Sequence, residues 1–169
     1  IVAGLKTHYA ARGVHAKGHA CVKAYVYVND DLDSAYQHGV FKTPGKQYKS
    51  WIRFSNSSSN MAKPDDNLKD ARGMGIKLLD AGENLSGGTT QEFIAHNSPA
   101  YFVTSVDDYN QFVATKGDPM YFIQGYNPFE WRRRELWQLV TAYAPPPPSP
   151  LWAEYFSNTA YKLGPHNIK

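Results

Sequence analysis

Arg12-Gly13-Val14-His15-Ala16-Lys17-Gly18 runs directly into His19-Ala20-Cys21-Val22-Lys23-Ala24-Tyr25-Val26-Tyr27-Val28. The second half of this stretch is rich in Val and Tyr and is closed by Asn29-Asp30-Asp31, which makes it a β-strand ending in a turn. The first half sets one histidine between an arginine and a lysine, at the mouth of that strand. Glycines flank it and allow backbone to approach a large ligand without a Cβ in the way. A histidine near its neutral form takes and returns a proton at physiological pH. A β-rich chain with a histidine-bearing entrance is the starting expectation.

The 169 residues suffice for one domain with its own core. The aromatic content is high, 14% with 12 Tyr and 4 Trp, and aromatics line pockets for flat ligands as well as cores. A net charge of +3, with Arg132-Arg133-Arg134 as the one basic run, argues against a nucleic-acid partner. Cys21 is the single cysteine, so no internal disulfide forms, and its apolar strand makes it a buried hydrophobe by expectation. No run approaches the roughly 20 apolar residues of a membrane span. A soluble protein of cytoplasm or periplasm fits these features, and a homo-oligomer is left open.

Along the chain, strand one is expected at about 19–28. Strand two is Ser50–Asn56, where alternation places Trp51, Arg53 and Ser55 on one face. Strand three is about Ala71–Leu79, with Gly73 and Gly75 on a common face that suggests close approach of a ligand or strand. Residues 80–89 form a turn before strand four, Thr90–Ala95, which is followed by His96-Asn97-Ser98-Pro99. Four strands with turn-rich connections predict an antiparallel meander. The character then becomes helical. Val106, Tyr109 and Val113 recur at helical spacing, and a second helix is expected to begin at Pro128–Trp131 and end at Pro145–Pro148. Pro150–Phe156 reads as a last short helix, and 157–169 as an extended return.

Four segments together resemble the haem catalase superfamily, in its small catalase-like form. Arg12–Gly18 is similar to the segment carrying the family's distal histidine, and Ser50–Asn56 to the strand with an Arg-Phe-Ser core. Asp70-Ala71-Arg72-Gly73 resembles an Asp-Pro-Arg-Gly segment, with Ala for Pro. Gln91–Phe102, ending Asn97-Ser98-Pro99-Ala100-Tyr101-Phe102, resembles Asn-Asn-Thr-Pro-x-Phe-Phe. The match spans roughly residues 5–165. It implies an α+β chain: an antiparallel catalase-like β-barrel followed by helices, with haem b and its iron as cofactor. It implies an oxidoreductase of the catalase or peroxidase type, acting on hydrogen peroxide or organic peroxides. On the same resemblance His15 is the distal acid/base and Ser55 holds its ring. Val14 presses on the haem face, Arg12 and Arg53 pair with the propionates, and Tyr101, Phe102 and Tyr109 line the porphyrin.

Two departures stand out. The family's distal asparagine falls at His96, and Asn97 comes one residue later. Asn97 is the preferred distal partner, since an amide orients peroxide without titrating, with His96 as the alternative. The family's proximal tyrosinate belongs to an Arg-x-x-x-Tyr pattern, and no Arg here has Tyr four residues on. The expectation is that the chain is the distal half of a longer protein and that the proximal ligand lies beyond Lys169. Two other readings are carried forward. One is rearrangement of fatty-acid hydroperoxides in the manner of allene oxide synthase, disfavoured by Val14 where those relatives have Thr. The other is a non-catalytic haem or ligand-binding barrel.

Overall fold

The computed structural model describes residues 12, 14–57, 70–82, 87–115, 117–142 and 149–169. Expectations for residues 1–11, the loop 58–69, and Pro145–Pro148 lie outside the described residues. Four strands form the expected meander: β1 (Gly18–Tyr27), β2 (Gln47–Asn56), β3 (Arg72–Leu78) and β4 (Gln91–His96), each antiparallel to the next. Two helices follow, α1 (Val106–Ala114) and α2 (Arg133–Ala142). The two-residue β5 (Phe156–Ser157) then returns to pair with β4, and β6 (Tyr161–Leu163) forms a separate hairpin with β7 (His166–Ile168).

The sheet is open, and this corrects the expected barrel. Its order is β1-β2-β3-β4-β5, so β1 and β5 are edges. Closure requires the last strand to pair with the first, and β5 is too short and too far along the order to do so.

Register sorts the strand residues onto two faces. One rung reads Cys21–Arg53–Gly75–Ile94, and the next reads Ser55–Gly73–His96. The opposite face buries Val28, Tyr48 and Leu78 against Val40 and Phe41 from the β1–β2 connection. At the other end of that face the buried polar side chains of Asn56 and Arg72 bond each other, and His19 bonds Asn56. A polar cluster here satisfies groups whose burial would otherwise be costly.

The helices build a second core of Val103, Phe112, Phe122 and Leu139. Ser105 caps α1, its Oγ accepting from the Asp108 N–H at 3.1 Å, with Asp107 and Asp108 in the first turn. Phe112 is the buried residue of α1, whereas Val106 and Val113 are exposed, so the apolar stripe sits one position from the expected one. The second helix starts at Arg133, not Pro128, because Asn127 turns the chain. Its Oδ1 accepts from Phe129 N–H and its carbonyl accepts from Glu130 N–H. The expected helix over 150–156 is a single 3-10 turn, Pro150–Trp152, before the chain extends into β5.

Candidate functional site

A cleft of about 580 Å³ lies against the sheet face that carries Arg53, Ser55, Gly73 and His96. Every residue singled out from the sequence lines it except Asn97. Its size is ordinary for a small-molecule or cofactor site.

His15 sits at the inner end of the cleft, just before β1. Its backbone is left-handed, with φ of 54°, uncommon for a residue with a side chain. Three contacts hold it there. Its N–H donates to the Ser57 carbonyl at 3.1 Å, and its carbonyl accepts from the Arg53 guanidinium at 2.7 Å. Its Nδ1 shares a hydrogen bond of 3.1 Å with Ser55 Oγ. The imidazole occupies the space beside Gly73 where a side chain would start. A Cβ placed on Gly73 would fall 2.5 Å from both Nδ1 and Cε1 of the ring and 3.1 Å from Ser55 Oγ. Only a glycine leaves that room. Burial holds the His15 pKa below its usual 6.5; nearby Asp70 opposes the shift, and Arg53 and Arg12 add to it. The ring is therefore biased to the neutral form, in which one nitrogen accepts a proton.

Around His15 the cleft divides into two chemistries. Val14, Tyr101, Phe102 and Tyr109 supply apolar and aromatic wall. The last three pack against one another at tilted angles, with Tyr101–Phe102 centroids 4.9 Å apart and Phe102–Tyr109 6.4 Å apart. The guanidiniums of Arg12 and Arg53 supply positive charge, and burial, with the Arg12 charge second, holds the Arg53 pKa below its usual value. Two planar cations beside an aromatic wall suit a flat ligand carrying carboxylates.

His96 is the last residue of β4, opposite Gly73, and so faces the cleft. It is 9% exposed, and its Nε2 is buried with no hydrogen-bond partner among the described residues. Burial, then the charge of His15, then Lys169 hold its pKa below 6.5. Asn97 serves elsewhere. Its Oδ1 accepts from the Arg72 N–H at 2.8 Å and its own N–H donates to the Arg72 carbonyl at 3.1 Å, which extends the β3–β4 ladder by a side chain. Strand four runs one residue further than its alternation suggests, and that extra residue turns His96 to the cleft.

Cys21 corrects another expectation: it is exposed and lines the cleft, opposite Arg53, because β1 is an edge strand with little covering it. Asp70, buried and electrostatically coupled to His15, is the neighbour that residue-type reasoning missed. Its place in the Asp-Ala-Arg-Gly segment beside Gly73 was the available signal.

Among the described residues no group of His, Cys, Asp and Glu could hold a bare metal ion. The aromatic wall and the two guanidiniums do fit one face of a planar, carboxylate-bearing macrocycle such as haem.

A family model described as Catalase matches residues 6–134. Among solved structures the chain is similar to a fungal catalase, at TM-score 0.52 and 24% identity, covering 63% of this chain and 20% of that one. It is also similar to catalase A from Saccharomyces cerevisiae, at TM-score 0.51 and 24% identity with the same coverage of 63% and 20%. These two likenesses bear on the fold alone, and the chain spans about a fifth of the length of either catalase. No curated protein matches.

Proposed function

Given that this chain belongs to the catalase family, whose model covers residues 6–134, we propose that the cleft is the distal side of a haem b site used for catalase- or peroxidase-type turnover of peroxides. The observation that carries the reading is the His15 imidazole, seated over Gly73 and held by Ser55 and Arg53 at the head of an aromatic-walled cleft. Haem, when bound, supplies the redox chemistry at iron.

The residues of the chain supply the rest. Arg12 and Arg53 hold the carboxylates, and Tyr101, Phe102 and Tyr109 hold the apolar body. Val14 narrows the approach to His15. When His15 Nδ1 donates to Ser55 Oγ, Nε2 keeps its lone pair and accepts a proton from an O–H group of the substrate. The same nitrogen returns that proton to the departing oxygen. Burial favours this cycle by keeping the resting imidazole neutral. Arg53 acts twice, through its charge and through the His15 carbonyl it fixes.

The test is haem-loaded protein assayed for hydrogen peroxide and organic peroxide consumption, beside Arg53→Ala. The variant is expected to bind haemin more weakly, because it loses a carboxylate partner and the anchor of His15. Equal haemin affinity in the variant would contradict the role given to Arg53.

A further inference from the structure

We propose that Tyr101 and Tyr109 form a modification site, in which peroxide oxidises the two phenols and joins them by an aromatic carbon–carbon bond. The inference rests on the peroxide-site reading above. Tyr101 and Tyr109 are the two tyrosines that line the cleft among the described residues. Their ring centroids are 6.2 Å apart at 38°, inside the contact range of about 4.5–7 Å for aromatic pairs. Tyr101 belongs to the segment after β4 and Tyr109 to α1, so a link between them fastens one element to the other. Phe102 packs against both rings but has no hydroxyl to oxidise.

The pair stands at the His15 end of the cleft. The Tyr101 ring meets the His96 ring edge-on, with centroids 6.0 Å apart, and His96 shares a rung with Gly73, beside which the His15 imidazole sits. Two other oxidisable side chains of the cleft lie further along the sheet: Cys21 is opposite Arg53, and Trp51 is two residues beyond Arg53. Two phenols in contact match the two-electron demand of a peroxide. Each gives up one electron and its hydroxyl proton, which breaks two O–H bonds. The two phenoxyls join through ring carbons next to oxygen, and the hydrogens on those carbons move to the oxygens, restoring both phenols. The peroxide takes up the two electrons and two protons as its O–O bond breaks. In balance, ROOH and two phenols give ROH, water and a linked pair short of two hydrogen atoms. A lone phenol is left as a radical, whereas a neighbour held in place supplies the second electron and closes the product.

The test treats haem-loaded wild type, Tyr101→Phe and Tyr109→Phe with a small excess of hydrogen peroxide. Peptides from each digest are weighed, and the blue fluorescence of a biphenol is recorded. Wild type is expected to give one peptide pair joined through residues 101 and 109, lighter than its two parts by two hydrogen atoms. The chains carrying it are expected to run as monomers under denaturing conditions. Either substitution keeps an aromatic ring in place and is expected to abolish the joined peptides and their fluorescence. Peroxide consumption by wild type without that link overturns the proposal, as does oxidation confined to Cys21, Trp51 or Met74, or coupling through the exposed Tyr126 instead. A second arm needs no haem: the same three proteins are oxidised with light, a ruthenium tris-bipyridine complex and persulfate. The 101–109 link is expected in wild type alone, and its absence there overturns the pairing. A wild type that consumes no peroxide overturns the function proposed above, and the light-driven arm then decides the pairing by itself.

Discussion

His15 concentrates the unusual physics of this chain. A left-handed backbone costs a residue with a side chain about 1–3 kcal/mol, and such strain persists only where the surroundings over-determine it. Here Ser57, Arg53 and Ser55 each contribute a bond to hold it. Gly73→Ala is the sharpest probe, because the new Cβ would meet the ring at 2.5 Å and Ser55 Oγ at 3.1 Å. The variant is expected to displace the imidazole and lower peroxide turnover by about 10²-fold or more, read in a steady-state assay. Acid stability offers a second probe. His15 and His96 both titrate below 6.5 in the folded protein, so between those lowered values and 6.5 the unfolded chain binds more protons. Stability is therefore expected to be full above 6.5 and to decline as pH falls through that window. A double variant, His15→Gln with His96→Gln, should flatten the decline in thermal melts recorded from pH 7 to 5. Alternation along Ser50–Asn56 put Arg53 and Ser55 on one face, and the family resemblance made them site residues. The choice between His96 and Asn97 was not, since it turns on whether strand four ends at residue 95 or 96, and local pattern does not fix strand ends to one residue.

At the scale of elements, two joints hold the cleft walls. The first is the Asn97 side chain, which continues the β3–β4 ladder onto the Arg72 N–H. Asn97→Ala strands that donor in a buried setting and is expected to cost about 1–3 kcal/mol. At about 2–4 °C per kcal/mol for a chain of this size, the loss is visible in a thermal melt. The second joint is the forked pair from Arg132 to Asp108, with Nη1–Oδ1 at 2.6 Å and Nη2–Oδ2 at 2.5 Å. It fastens the entry of α2 to α1, and it holds the Asp108 carboxyl below the usual carboxylate range. Asp108→Asn keeps the shape but loses the charge, so the melting temperature should fall more at low salt than at high salt. Equal losses at both would remove electrostatics from the account. Neither joint has a local sequence signal. Arg132 read only as part of a basic run, and the stripe of α1 read through Val106, Tyr109 and Val113, because the partner that selects Phe112 is Phe122 in a later segment.

The whole molecule pairs an open five-stranded sheet with a small helical core, and the cleft lies on the sheet face away from the Tyr48–Leu78 cluster. The four-strand meander could be read from alternation and turn residues, which are local. Barrel closure could not, because it depends on whether the first and last strands meet. Edge strand β1 also explains why Cys21, apolar by sequence context, stands exposed in the cleft. The central claim is that this cleft seats haem with His15 above it as the proton carrier. The most direct measurement is a haemin titration of wild type and His15→Gln followed at the Soret band, with peroxide consumption measured on the same samples. The account predicts equal haem binding and a turnover loss of about 10²–10⁴-fold in the variant. Haem binding with undiminished turnover in His15→Gln would contradict it.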